Sequence, residues 1–190
     1  MSGFQRYKKI LDLFSEERSS WTVLEISKSL KTPSSTIYRI VREMVTAEFL
    51  ESASGSYFRL GPAFIKFNRI INFSDPLVRA GQPFLKKLAN ENPITSVNVL
   101  ARLYGNNVMC VADYKSPTFK KNTSYQRGKL MPLIYGATSR AIIMQITGKR
   151  LENLINLENF KSDEDKNNFL KDLKNDRKKG YCFTKGQVDK

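Results

Sequence analysis

Phe4, Tyr7, Ile10, Leu11 and Phe14 recur at intervals of three and four, which predicts an amphipathic helix over residues 3–16. RSSW (18–21) breaks the pattern. Thr22 and Glu25 then stand in the T-x-x-E spacing of a capping box, in which the threonine oxygen takes the Glu25 amide and the carboxylate returns to the Thr22 amide. Val23, Ile26 and Leu30 give the next helix one buried stripe. Lys31 and Thr32 read as a turn, with Thr32 the expected N-cap of a third helix and Pro33 its first helical residue, where a missing N–H costs nothing. Ile37, Ile40, Val41, Met44 and Val45 form that helix's inner stripe. ESASGSYFRLG (51–61) reads as strand, turn, strand, bent at Ser54-Gly55. Two short helices about a tight turn, followed by a hairpin, predict a winged helix-turn-helix over 1–61.

Pro62 opens a further helix to Asn72, with Phe64, Phe67, Ile70 and Ile71 on one side, and SDP (74–76) interrupts it. Residues 62–76 are expected to be an ordered linker helix. Leu77 to Asn90 is helical again, with a kink or restart expected at Gly81 and Pro83. SVNVLARL (96–103) and VMCVADY (108–114) read as strands joined by GNN (105–107). SPTFKKNTSYQRGK (116–129) is a polar loop or irregular strand, and PLIYGATSRAIIMQITG (132–148) a loop entering a helix. Residues 149–157 and 163–179 read as surface helices. Gly180 ends the second of them, and YCF (181–183) is expected to begin another strand. This mixture predicts an α+β domain over 77–190, and no internal repeat interrupts it.

Charge narrows the class of partner. Lys and Arg number 32 against 18 Asp and Glu, a net charge of +14. That balance favours a polyanionic partner, nucleic acid first. It does not locate the site, because residues 1–73 hold 11 basic and 7 acidic side chains and the remainder holds 21 and 11. The chain has no histidine, which excludes His-based acid–base and triad chemistry, and no phosphate loop occurs. Asp113 and the KSDED run (161–165) are carboxylates without an evident pocket, so no enzyme and no cofactor is expected. Cys110 and Cys182 sit far apart in apolar settings with no metal-ligand spacing, and both read as reduced packing residues. No stretch approaches the roughly 18 apolar residues of a membrane span, and MSGFQRYKK lacks a signal core, so the expected location is cytoplasmic.

The third helix carries the chemistry. TPSSTIYRIV (32–41) crowds polar residues at its front, and a helix entering the major groove presents its first turns to base edges. The outward set is Ser34, Ser35, Thr36, Tyr38, Arg39 and Arg42. Hydroxyls near Pro33 also suit plain capping, but capping does not account for Tyr38, Arg39 and Arg42 opposite the apolar stripe. In the wing, Ser54, Ser56 and Arg59 are placed to meet DNA backbone or minor groove.

SSTIYRIVREMVTAEFLE followed by GSYFRLGP resembles the isocitrate-lyase-regulator (IclR) family of bacterial transcription regulators. PFLKKLANEN is similar to the helix that opens that family's effector domain, RGKLMPLIYGATSRAI to its G-x-x-x-P-L segment, and RKKGYCF to its R-x-x-G-Y segment. The resemblance spans nearly the whole chain, through the order and spacing of these segments. It implies a winged domain that binds a pseudo-palindromic double-stranded operator as a homodimer or higher oligomer. It also implies a GAF-like α+β domain that senses a small organic acid or aromatic metabolite. By the same resemblance Met131, Gly136, Ala137, Thr138 and Ser139 line the effector pocket. GATS ahead of an aliphatic helix leaves amides open for a carboxylate, or serves as an ordinary N-cap with small residues for close packing.

Departures from the family pattern shape further expectations. The sequence stops at GQVDK where the family continues with strands, so the effector domain reads as partial. Only Met1-Ser2-Gly3 precede the first helix, and Ile134-Tyr135 stand where a histidine and a small residue are common, so Tyr135 narrows the pocket. The alternative function is a truncated regulator acting as a protein-interaction or dominant-negative partner of a full-length relative. RNA binding ranks lower, since no clustered aromatic platform is visible.

Overall fold

The computed structural model describes residues 3–92, 94–120, 123 and 126–188. Met1, Ser2, Pro93, Asp189 and Lys190 lie outside them, as do Lys121, Asn122, Ser124 and Tyr125 of the expected 116–129 loop. The chain divides into two compact units, residues 1–75 and 76–190.

The first unit begins with α1 (Gly3–Leu11), β1 (Ser20–Thr22), α2 (Val23–Leu30) and α3 (Ser34–Thr46). It continues with β2 (Leu50–Ser52), β3 (Tyr57–Leu60) and α4 (Ala63–Ser74). The capping box at Thr22 forms as its spacing requires. The Thr22 Oγ1 accepts the Glu25 amide at 3.3 Å, and the Glu25 carboxylate accepts the Thr22 amide at 2.9 Å. Those bonds from Thr22, backbone first, hold the Glu25 carboxyl below its usual range. A depressed carboxyl stabilises the fold above its unfolded pKa, and that contribution is lost as pH falls through the folded value. Thr22→Ala is therefore expected to cost about 1 kcal/mol at neutral pH and less in acid, read by urea unfolding at the two pH values.

Ile10, Ile26, Ile37, Ile40, Val41, Met44 and Leu50 form the buried core, with Trp21, Phe14 and Phe58 packed around it. The α3 stripe is as periodicity predicts. The cap is not. Pro33, extended at φ −52°, ψ 138°, is the N-cap, and the helix starts at Ser34. Thr32 is held elsewhere: its amide donates to the Ser27 carbonyl, its carbonyl accepts the Ser27 hydroxyl, and its own hydroxyl donates to the Leu30 carbonyl. The turn is closed by Lys31 in the left-handed region.

The wing gains a strand that the sequence pattern does not announce. β1 pairs with β3 antiparallel, so the sheet runs β1-β3-β2, with Trp21 opposite Phe58. Ser54–Ser56 form a 3-10 turn with Gly55 at φ +67°. Gly61 closes the hairpin, and a Cβ there would lie 2.3 Å from the Glu48 carbonyl oxygen. Gly61→Ala is expected to lower stability by about 1–3 kcal/mol or more, seen as a lower urea midpoint in Trp21 fluorescence, because backbone cannot yield as a side chain does. α4 follows, with Phe64 and Phe67 against Phe49 at ring centroids 5.6 and 6.1 Å apart.

The second unit begins with α5 (Pro76–Glu91), β4 (Val97–Tyr104), β5 (Asn107–Lys115) and β6 (Leu130–Met131). It ends with α6 (Ala137–Ile143), α7 (Gly148–Asn156) and α8 (Asp163–Lys179). The sheet order is β4-β5-β6, antiparallel throughout. α5 runs on through Gly81 and Pro83 without the expected restart. Its Val78 and Leu85 pack with Val111 and Ala112 on one sheet face, and a Cβ at Gly81 would meet Leu100 Cδ2 at 2.6 Å. Gly81 therefore serves close packing of α5 on the sheet.

The opposite face carries Val108, Met131, Leu133, Ile143, Met144, Leu154 and Leu173 beneath α6, α7 and α8. A bulge interrupts the alternation of side chains along β5. Leu100 pairs with Ala112 but Ala101 pairs with Cys110, so Val111 is an extra residue and the alternation inverts there. The Arg127 Nε donates to the freed Val111 carbonyl at 2.8 Å. Gly105 at φ +58° makes the tight β4–β5 turn, and Gly180 at φ +78° ends α8, both as the sequence predicts. Tyr181–Phe183 do not form the expected strand: among the described residues no sheet edge pairs with them, and Tyr181 and Phe183 stand exposed. Cys110 is fully buried, and burial pushes its thiol up to about 11. It is expected to resist thiol reagents at pH 8 in the folded protein and to react fully in denaturant.

Candidate nucleic-acid interface

Helix α3 turns one side to the core and leaves another bare. Ser35, Tyr38, Arg39 and Arg42 are exposed along it. Arg39 Nη1 lies 3.9 Å from Glu43 Oε1, and the Arg42 guanidinium stands 6.0 Å from the Tyr38 ring centroid. Tyr38, Arg39, Arg42, Glu43, Thr46 and Ala47 line an open groove on this face. The Glu43 carboxylate also accepts the Tyr7 hydroxyl of α1, which raises the Tyr7 pKa and joins α1 to the outer edge of α3. Exposed ion pairs of this kind are weak, so Arg39 is available for exchange to an external anion.

The other expected residues are placed unequally. Ser34 is half-buried, and its hydroxyl is 3.0 Å from the Ser27 Oγ of α2. Thr36 is half-buried beside a cleft between α1 and α3. Ser54 and Ser56 are exposed at the wing tip, where Ser56 takes φ +63°. Arg59 Nε is 2.6 Å from Glu51 Oε1 across the β2–β3 pair. The cleft beside Thr36 has a volume of about 340 Å³ and brings in Arg6 and Lys9 of α1. Arg6 and Lys9 are not among the residues expected from sequence, although their i, i+3 spacing on α1 puts them on one face.

In the second unit Gly136, Ala137, Thr138 and Ser139 of the expected effector residues stand at the start of α6, whereas Met131 lies in β6. Met131 is buried in the core. The Gly136 amide donates to the Gln187 side chain at 3.1 Å, and the Cys182 thiol donates to the Ala137 carbonyl at 3.1 Å. Burial raises the Cys182 thiol pKa. Thr138 is half-buried. Ser139 is buried, and its hydroxyl has no hydrogen-bond partner among the described residues. Next to it Arg140, also buried, pairs with Asp176 of α8 and lies 4.0 Å from Asp172. Tyr135 is exposed. Among the described residues no helix is long and apolar enough to cross a membrane, and no group of three acidic or thiol side chains gathers to hold a metal.

Residues 5–54 match the IclR helix-turn-helix domain. No curated protein matches the chain. Among solved structures, an IclR homologue from Microbacterium hydrocarbonoxydans, complexed with 4-hydroxybenzoate, superposes with a TM-score of 0.78. It is 20% identical, with 98% of this chain and 78% of that one covered. An IclR transcriptional regulator from Alicyclobacillus acidocaldarius gives 0.77 at 18% identity, covering 97% and 74%. The Thermotoga maritima IclR gives 0.63 at 15% identity, covering 94% and 73%. The fold is thus shared along both units.

Proposed function

With residues 5–54 an IclR helix-turn-helix domain, and the chain carrying the fold of IclR-family transcription regulators, we propose that this protein is a sequence-specific DNA-binding regulator that acts as a dimer. The observation that carries the reading is the outer face of α3. Tyr38, Arg39 and Arg42 stand together and exposed on a helix whose other side is fixed in the core. Arg39 reaches guanine edges or phosphate, Ser35 and the wing-tip serines meet the backbone, and lysine and arginine contacts supply much of the affinity. The linker role of residues 62–76 belongs to the same proposal. α4 joins the winged unit to the sensor and exposes Ile65, Phe67, Ile70, Ile71 and Phe73, apolar surface suited to a second copy.

The sensor reading extends to residues 77–190. The relative from Microbacterium was solved with 4-hydroxybenzoate, and the unpartnered Ser139 hydroxyl beside Gly136–Thr138 supports a small aromatic or organic acid as effector here. Bound differently in two arrangements of the dimer, such an acid would shift the spacing of the two winged units. Footprinting of the DNA upstream of the gene tests the proposal. Two protected half-sites about one helical turn apart, roughly 34 Å, support it. Protection absent at every protein concentration refutes it, and protection unchanged by aromatic acids removes the sensor part.

A further inference from the structure

We infer that the cleft between α1 and the front of α3 is a second DNA contact, a seat for a backbone phosphate held by Arg6 and Lys9 with Thr36. The inference rests on the DNA-binding reading and extends the interface to a helix outside it. The cleft is lined by Arg6, Lys9, Thr32 and Thr36 over a floor of Ile10, Leu30, Ile37 and Ile40, with no carboxylate among its lining residues. Elsewhere in this unit Lys8 pairs with Asp12, Arg18 with Glu25, Arg39 with Glu43 and Arg59 with Glu51, while Lys28, Lys31, Arg42, Lys66 and Arg69 are in no such pair among the described residues. Arg6 and Lys9 have no carboxylate within ion-pair distance among the described residues. Two like charges one helical turn apart repel each other unless an anion lies between or before them. Both side chains are exposed, and so is Lys31 in the turn between Leu30 and Thr32. The cations therefore stay hydrated and exchangeable, as salt-sensitive phosphate contacts require.

Position selects the anion. Thr36 belongs to the first turn of α3 and precedes Arg39 by one helical turn, so the cleft opens beside the face that meets the groove. A phosphate of the strand flanking that groove reaches the cleft. Such a contact fixes register and adds affinity without reading sequence.

The test uses the full chain and a mixed-sequence duplex of 24 base pairs, with anisotropy recorded from 50 to 300 mM salt. Arg6→Ala/Lys9→Ala is expected to flatten the slope of log K against log salt by about one to two units. Arg6→Lys/Lys9→Arg should keep the wild-type slope, and so should Lys8→Ala, whose side chain pairs with Asp12. A double-alanine slope equal to wild type overturns the inference while leaving the DNA reading intact. A wild-type chain that fails to bind at 50 mM salt overturns the DNA reading, and this inference with it. A Lys8→Ala slope that falls as far as the double variant's overturns the inference too, since any surface charge would then do.

Discussion

Asp176→Ala is expected to destabilise the second unit by about 3–5 kcal/mol, the cost of leaving a buried charge without its partner. Arg140 is 9% exposed and Asp176 8%, and they join α6 to α8 beneath the apolar layer. The Arg140 Nε has no partner among the described residues, so Asp176 provides its main compensation, with the more exposed Asp172 at 4.0 Å as a poor substitute. Urea unfolding followed by circular dichroism should show the midpoint fall by more than about 1 M, given slopes of about 1–3 kcal/mol/M. Arg140→Met/Asp176→Leu provides the contrast. Replacing both charges with apolar groups of similar size should restore most of the loss, because desolvation of the pair is then no longer required. If the double variant is as unstable as the single one, the pair contributes through geometry that the apolar residues cannot reproduce.

Arg39→Ala/Arg42→Ala is expected to weaken DNA binding by about 2–4 kcal/mol, roughly 30- to 1000-fold, while changing stability by no more than about 0.5 kcal/mol. Both side chains are exposed and neither belongs to the core, so folding does not depend on them. Their i, i+3 spacing places them on one face, and their effects need not add. Anisotropy on upstream and scrambled duplexes separates the roles. A loss confined to upstream DNA marks base reading, whereas an equal loss on both marks phosphate contact.

Much of this was legible in the sequence because it depends on local chemistry. The Thr22–Glu25 box, the α3 stripe, the Gly105 turn and the Gly180 stop each follow from a few neighbouring residues. What was not legible depends on partners distant in the chain. β1 and β6 are three and two residues long, too short to show a period, and exist through pairing with β3 and β5. Pro83 lies inside α5, and Gly81 of the same helix presses on Leu100, a residue distant in the chain. Thr32 lost the cap to Pro33 because Ser27 holds it from the preceding helix. The expected interface residues divide in the same way. Tyr38, Arg39 and Arg42 follow from helical phase alone. Ser34 faces Ser27, Arg59 is paired with Glu51 across the wing, and Arg6 and Lys9 reach α3 only through tertiary packing, which no reading of one helix reveals.

The most direct test of the central claim is fluorescence anisotropy of the 190-residue chain on a duplex from upstream of its gene, against a scrambled duplex, at several salt concentrations. Preference for the upstream duplex, with affinity that falls steeply with salt, is the expected result. Equal, weak binding to both would contradict it and favour a protein partner for the winged unit.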